Sequence, residues 1–172
     1  MNVSIVLTVI CDDRPGIVEN LSKLLKNHQG NWTESAMQSL AGKFAGILLA
    51  SVPEAQSDEF MASVRALDSA GLHIVVQRAE SNRRQEGSRE FRLDLVGQDR
   101  PGIIHDISTI LSRHHINVHE LETECQSASM SGESLFLAKA HIQVPPDTSL
   151  EVVRQELEAL ANELMVDLKL EG

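Results

Sequence analysis

Aromatic residues are scarce in this chain of 172 residues, which contains no tyrosine, one tryptophan and four phenylalanines. Basic residues are also outnumbered: the net charge is −10, with a balance of −1 over residues 1–84 and −9 over residues 85–172. Proteins that bind nucleic acids present clustered lysine and arginine to the phosphates and often stack aromatic rings on the bases. The composition therefore argues against direct binding to nucleic acid.

Cysteine and long apolar runs are equally lacking. The two cysteines, Cys11 and Cys125, have no spaced neighbour with which to form a metal-ligand pair, so reduced thiols, typical of cytosolic proteins, are expected. No apolar run approaches the roughly 20 residues that span a bilayer. Met1 leads directly into an alternating apolar pattern rather than a charged and then apolar leader. We therefore expect a cytoplasmic protein.

What the sequence does contain is a repeat. The pentapeptide Asp13-Arg14-Pro15-Gly16-Ile17 returns 86 residues later as Asp99-Arg100-Pro101-Gly102-Ile103, and Asn31 has its counterpart in Asn117 at the same spacing. Solenoid repeats have periods of roughly 20–50 residues, so a period this long indicates two similar domains instead. The predicted domains are residues 1–79 and 90–172, joined by a polar linker at 80–89.

Each repeat has the same order of predicted elements. An alternating strand precedes the pentapeptide, and a helix with an apolar stripe follows it; two strands, a second helix and a short strand complete the unit. A β-α-β-β-α-β order builds a four-stranded antiparallel sheet with both helices on one face, the ferredoxin-like arrangement of the α+β class. Val6 and Ile10 fall on the other face, so we expect that face or a sheet edge to be covered, with the second unit as the nearest candidate.

Smaller features complete the prediction. The second helix of the first unit is expected to start near Ser57, and the last helix is expected to open with a capping box at 148–151. The second unit carries six additional residues, which we place in a loop at 127–132.

The repeated strand-to-helix junction is the candidate site. Its proline suits a first helical turn, and its aspartate, Asp13 or Asp99, is the predicted N-cap. Its glycine is harder to explain by folding, because glycine in a first turn costs helix stability. A missing side chain would let a ligand approach the amides at the positive end of the helix, which favour a carboxylate or phosphate. The neighbouring aspartate disfavours a polyanion and suits an ammonium group, so an amino acid fits both.

Structural explanations of the same residues stay open. Gly16 and Gly102 could merely relieve crowding against the next strand in a tight turn. Asn31 and Asn117 each open a strand expected to lie near the junction, where an amide could both donate and accept. They could equally be turn residues in a left-handed conformation.

Two β-α-β-β-α-β units, each with Asp-Arg-Pro-Gly at the first junction and asparagine at the second strand, resemble tandem ACT domains over about residues 3–78 and 90–171. The resemblance implies regulation by small molecules: ACT units pair their sheets side by side and bind amino acids at the interface, against the Pro-Gly turn and the second-strand asparagine. Carried onto this chain, it points to the ligand-binding residues Asp13, Arg14, Pro15, Gly16, Ile17, Asn31, Asp99, Arg100, Pro101, Gly102, Ile103 and Asn117.

The resemblance also implies a function and partners. It points to a transcriptional regulator of glycine cleavage that acts through a DNA-binding protein, with glycine as the favoured ligand and no cofactor; a homodimer stays open. Cys11-Asp12 precedes the first junction where Gly97-Gln98 precedes the second. The two sites are therefore expected to differ in affinity, or only one of them to bind.

The sequence leaves three other functions to consider. A protein-interaction module that does not bind a ligand is the strongest alternative. A metal-responsive regulator is weaker, because the histidines of the second unit show no recognised ligand spacing. An enzyme is not expected, since the sequence has no nucleophile elbow, phosphate loop or paired-carboxylate motif. The histidines of the second unit are His105, His114, His115, His119 and His141.

Overall fold

The computed structural model describes residues 1–79, 87–127 and 134–172, and it divides into two compact units, Met1–Asn82 and Arg83–Gly172. Of the predicted linker at 80–89, residues 80–86 lie outside the described residues, and a strand begins at Arg89. The predicted loop at 127–132 lies outside them from 128 onward. No helix in the described ranges has the length and apolar character needed to cross a membrane.

The first unit follows the predicted order of elements. It consists of β1 (Asn2–Asp12), α1 (Ile17–Asn27), β2 (Asn31–Leu40), β3 (Lys43–Pro53), α2 (Glu54–Ala66), a 3₁₀ turn (Leu67–Ala70) and β4 (His73–Arg78).

The second unit repeats that order. It consists of β5 (Arg89–Gln98), α3 (Ile103–Arg113), β6 (Asn117–Ser127), β7 (Ser134–Val144), α4 (Leu150–Leu164) and β8 (Val166–Glu171).

Both sheets are antiparallel and have the same topology. The strand order is β2-β3-β1-β4 in the first unit and β6-β7-β5-β8 in the second. The strand that precedes each pentapeptide is therefore central, and the strand that follows the first helix lies at an edge. The predicted α+β class, two ferredoxin-like βαββαβ units, is confirmed.

The core of each unit lies between its sheet and its two helices. Ile5 and Leu7 alternate along β1 and are buried under Leu25 of α1 and Phe60 of α2. His28 ends the α1 stripe and packs edge-on against Phe60, with ring centroids 5.7 Å apart. Val18, next to the buried Ile17 in α1, is 49% exposed. Burial of this apolar surface is the main stabilising term for domains of this size.

Two predicted helix starts were wrong. α2 begins at Glu54, three residues before the predicted Ser57, because Pro53 already holds the extended backbone of an N-cap position. Ser57 is buried and its hydroxyl donates to the Glu54 carbonyl at 2.9 Å. The capping box at 148–151 does not form: the Thr148 hydroxyl donates to the His114 carbonyl at 3.3 Å, and among the described residues no side chain caps α4.

Candidate functional site

The repeated junction turns sharply at its glycine. Gly16 holds φ 93° and ψ −2° at the N-cap of α1, and Gly102 holds φ 99° and ψ −9° at the N-cap of α3. The left-handed backbone is costly for residues with a Cβ and free for glycine. The prediction that Asp13 and Asp99 would be the N-caps is therefore wrong, and folding does require both glycines.

The space beside these glycines is open. A Cβ built at Gly16 would meet none of the described heavy atoms within 4 Å, and one at Gly102 would meet only Asp106 Oδ2, at 3.8 Å. The crowding explanation for the glycines is therefore wrong. Gly16 is half-buried and Gly102 is exposed, so the approach to the start of each helix is not filled by neighbouring side chains.

Each junction presents backbone amides to that space. The first helical bond of α1 runs from the Asn20 amide to the Gly16 carbonyl at 2.9 Å, and that of α3 runs from Asp106 to Gly102 at the same distance. The three amides before each of these donors have no place in the helical ladder. No side chain of the described residues caps either helix. Each opening can therefore accept a carboxylate at the positive end of a helix.

The aspartate of the first junction anchors the turn to the hairpin between β2 and β3. The Asp13 amide donates to the Gly42 carbonyl at 2.9 Å, and the Ser39 hydroxyl donates to Asp13 Oδ2 at 2.6 Å. Ala41 and Gly42 both have positive φ, 50° and 77°, as a two-residue hairpin turn of type I′ requires. Asp13 thus holds the junction in place while its carboxylate faces the surface.

The second junction repeats this anchor with a thiol. The Asp99 amide donates to the Ser134 carbonyl at 2.8 Å, and Asp99 contacts Cys125, which occupies the position of Ser39. Loss of hydration, followed by the charge of Asp99 and its hydrogen bond, raises the pKa of the Cys125 thiol. Ser39 and Cys125 were not among the predicted site residues, although the 86-residue spacing already aligns them.

An ion pair distinguishes the first junction. Lys43 bonds the carboxylate of Asp12, and this bond lowers the pKa of Asp12 and raises that of Lys43. Gln98 and Leu135 occupy the paired positions in the second unit. Lys43 therefore offsets one of the two consecutive carboxylates of the first junction.

The remaining pentapeptide residues differ in exposure. Arg14 and Pro15 are exposed, as are Arg100 and Pro101, and Arg100 also lines a groove between α3 and α4. Ile17 and Ile103 are only 4% and 3% exposed. The isoleucines therefore offer a backbone amide rather than a side chain to a ligand.

Asn31 does not lie near the junction of its own unit. Asn31 is paired through Ser51 with Ser4, at the start of β1, whereas the junction follows Asp12 at the other end of the same strand. Eight residues of strand therefore separate Asn31 from this junction by about 26 Å. The expectation that Asn31 lies near the junction was therefore wrong for the junction of its own unit.

The second unit has the same arrangement. Asn117 is paired through Gln143 with Glu90, eight residues before Gln98 at the junction end of β5. A molecule the size of an amino acid therefore cannot contact both groups of predicted residues in one unit.

Comparison with known proteins agrees with the two β-α-β-β-α-β units described above. Models of the ACT domain match residues 4–77 and residues 91–162, so together they cover most of the chain. The chain belongs to the ACT-domain family. It is a tandem ACT protein, as the paired junctions indicated.

Several relatives match the chain over nearly all of its residues. The glycine cleavage system transcriptional repressor of Escherichia coli (strain K12) is 26% identical over 166 residues, which span 93% of this chain and 85% of the repressor. A crystal structure of an unknown protein from Galdieria sulphuraria superposes with a TM-score of 0.84 at 30% identity, covering 99% of this chain and 98% of the other. A candidate glycine cleavage system transcriptional repressor gives 0.68 at 18% identity, over 99% and 97%, and supports the fold alone.

The residues before the two ACT junctions differ because of packing. Cys11 is 4% exposed and lies in the core beside Ile17 and Leu21. A Cβ at the equivalent Gly97 would lie 2.2 Å from Val166 Cγ1, so only glycine fits there. The difference between Cys11 and Gly97 therefore faces the core and not the junction. The expected difference in affinity rests on Asp12 and Gln98 alone and stays a prediction.

The histidines of the second ACT unit do not converge. His114 Nε2 lies 3.2 Å from Glu156 Oε1, and His141 Nε2 lies 3.8 Å from Glu120 Oε2, on different elements. Within the described ranges no three histidine, cysteine, aspartate or glutamate side chains are grouped as metal ligands would be. The metal-responsive alternative thus has no geometric support in that part of the chain.

Proposed function

We propose that this chain is a non-catalytic, amino-acid-sensing regulatory protein that controls transcription of glycine cleavage genes through a DNA-binding protein partner. Membership of the ACT family supports the sensing role. A relative named for repression of the glycine cleavage system, similar over nearly the whole chain, supports the regulatory role and the choice of glycine. The ligand would occupy the repeated junctions.

The observation that carries this proposal is the pair of uncapped helix openings. In both units the first three helical amides precede the first helical bond, beside a glycine with open space around it. Amides at a helix N-terminus bind a carboxylate through hydrogen bonds and the positive end of the helix dipole. The Asp13 or Asp99 carboxylate, held by the hairpin, would receive the ammonium group of the same ligand.

Charge supports a protein partner rather than direct contact with DNA. The chain carries −10 overall, and most of this excess lies in its second half. A surface of that sign repels the phosphate backbone. Control of transcription would therefore require a second protein that contacts DNA, and ligand binding would change the affinity of that protein for this chain.

Isothermal calorimetry with the twenty amino acids tests ligand binding directly. Gly16→Asn and Gly102→Asn are the informative variants, because asparagine tolerates positive φ and places a side chain over the amides. Valine at these positions would strain the backbone as well, so a loss of binding could not be assigned to the site. We expect glycine to bind the native protein and the double variant to lose at least tenfold in affinity.

Gly87→Asn is the matched control. Gly87 also has positive φ, 84°, and among the described residues its Cβ would contact Pro146 alone, at 3.7 Å. It precedes β5, at the end of that strand opposite Gly102. Unchanged binding in the junction variants, with the control also unchanged, would contradict the proposed location.

Asn31→Ala and Asn117→Ala test the other predicted residues. Because each asparagine is about 26 Å from its own junction, a site formed by the junction alone predicts no change in affinity. A loss of affinity would mean that the ligand contacts more than one ACT unit. Either outcome decides how many units form one site.

An interaction module without a ligand is the remaining alternative. It predicts no heat of binding and no thermal shift with any amino acid, whereas a sensor is stabilised by its ligand through mass action. A metal-responsive regulator would retain metal in elemental analysis of the purified protein, and a protein free of metal would dismiss it.

A further inference from the structure

The two ACT units differ most on the sheet face that their helices leave uncovered. In β1, Ile5, Leu7 and Val9 face the helices, so Val6, Thr8 and Ile10 point to the opposite side. Cross-strand partners add Ala36, Ala45, Ile47, Leu49 and Val75 to that side. We call this surface, consisting of Val6, Thr8, Ile10, Ala36, Ala45, Ile47, Leu49 and Val75, the apolar face.

Large side chains of the apolar face are exposed. Ile10 is 52% exposed, Ile47 53% and Val75 65%, and two shallow grooves cross the surface between them. A contiguous exposed apolar patch is uncommon on monomeric proteins and indicates an interaction site. Exposure of the apolar face of the first unit to water therefore costs free energy.

The centre of the equivalent face in the second unit is charged, whereas Val96 and Leu137, the counterparts of Ile10 and Ala45, are apolar. Thr8 is flanked in its sheet by Ile47 and Val75, whereas its counterpart Asp94 is flanked by Lys139 and Lys169. Val6 likewise has Arg92 as its counterpart, and Arg92 Nε lies 2.8 Å from Asp94 Oδ2. The repeat thus shows that this fold does not need an apolar residue at these positions.

This contrast argues against the second unit as the surface that covers the apolar face. If the charged face of the second ACT unit packed on the apolar face, its lysine and arginine side chains would lose their water and gain no polar partner in exchange. Among the described residues of the four strands, the ionisable side chains on the apolar side are Asp12, Glu34, Lys43 and His73, and they lie on edge strands or at strand ends. The two grooves are also lined by Arg65, Asp68 and Arg78, at the rim of this surface. A surface with an apolar centre and a polar rim complements another copy of itself about a twofold axis.

The available area is sufficient for such an interface. Four strands at about 4.8 Å spacing and eight residues of length give a face of about 19 by 26 Å, or roughly 500 Å² in projection. Two copies bury roughly 1,000 Å², which reaches the lower limit for a specific interface. Two sheets packed face to face lie about 10 Å apart and interdigitate their side chains.

We propose that the apolar face of the first ACT unit is the interface of a homodimer, in which it packs against the same face of a second copy. The proposal is independent of ligand binding at the junctions.

Sedimentation velocity on the full chain, from about 1 to 100 µM, tests the proposal. We expect the native protein to be a dimer and the double variant Ile47→Lys with Val75→Lys to be a monomer. Lysine is compatible with the fold there, because Lys139 and Lys169 hold the equivalent positions. Circular dichroism and thermal unfolding of this double variant would verify that it retains the native fold.

Controls separate this interface from other surfaces. Val152→Lys changes a valine of similar exposure, 43%, on α4 and should leave the dimer intact. If the lysine variant does not fold, Ile47→Thr with Val75→Thr keeps the β-branched shape and should weaken the dimer at least tenfold. A native protein that is monomeric at 100 µM, or a dimer that persists unchanged in the folded double variants, would overturn the proposal.

Discussion

The Ser39 hydroxyl donates a hydrogen bond of 2.6 Å to Asp13 Oδ2, and in the second repeat Cys125 takes the position of Ser39, where the carboxylate of Asp99 acts on its thiol. The two contacts join the candidate ligand junction to the adjacent hairpin in each ACT unit. A hydroxyl is chemically inert there, whereas an exposed thiol can be modified. The reactivity of Cys125 therefore reports on the geometry of the second junction.

Removal of the Asp99 charge should accelerate modification of Cys125. Loss of hydration and then the Asp99 carboxylate raise the pKa of this thiol, so Asp99→Asn should lower the pKa and increase the thiolate fraction near pH 8. The measurement is the rate of reaction with a thiol-specific disulfide reagent. Asp147→Asn, which changes another exposed carboxylate of the second unit, should react at the native rate. Equal rates in all three proteins would show that Asp99 does not act on the thiol.

Cys11 should make stability fall in alkaline solution. Burial raises the pKa of its thiol above the ordinary value of 9.0, so the folded state holds a proton that the unfolded state releases. The stabilisation is fully present below pH 9 and is lost as the pH rises through the folded pKa. Urea unfolding between pH 7 and 10, in a Cys125→Ser background, should show a steeper alkaline decline with Cys11 than with Cys11→Ala. Parallel declines would contradict this assignment.

Gly97→Ala should destabilise the second unit through a steric clash. The added Cβ would lie 2.2 Å from Val166 Cγ1, and overpacking of this kind costs about 1–3 kcal/mol in the free energy of unfolding. Val166→Ala removes the clashing atom, so the double variant should lose less than the sum of the two single variants. Chemical denaturation of the three variants measures the coupling, and simple additivity would mean that the backbone moves to relieve the clash.

Asp106→Asn should tighten carboxylate binding at the second junction. Asp106 Oδ2 lies 3.8 Å from the Cβ position of Gly102, so its charge opposes an anionic group over the same amides. Calorimetry in the Gly16→Asn background isolates this junction, and we expect a several-fold gain in affinity. Asp147→Asn in the same background is the control. A weaker or unchanged affinity would place the carboxylate of the ligand elsewhere.

The repeat made the fold predictable because hydrophobic patterning sets both elements and faces. Alternation of Ile5, Leu7 and Val9 predicted a strand with at least one buried face, and the proline of each pentapeptide indicated the first turn of a helix. The N-cap error arose because Asp13 suits that role chemically, whereas the backbone angle of Gly16 decides it. That angle depends on the direction in which the chain leaves β1, which the letters do not encode.

The position of Asn31 was recoverable in principle. β1 and β2 are both antiparallel to β3, so they run in the same direction and begin at the same end of the sheet. A residue that opens β2 must therefore lie far from a junction that follows β1. The contacts of Ser39 with Asp13 and of Val166 beside Gly97 could not be derived in this way, because they depend on hairpin length and on packing distances.

The bond from the Asp13 amide to the Gly42 carbonyl, repeated between Asp99 and Ser134, links each candidate binding loop mechanically to a strand-turn-strand arm. Any shift of the loop on ligand entry must either pull that arm or break the link. In the first unit this link ends on Gly42, in the turn between β2 and β3, whereas in the second it ends on Ser134, the first residue of β7. The same pull therefore acts on a turn in one half of the chain and on the start of a strand in the other, so a partner that touches the arms would distinguish which half had bound.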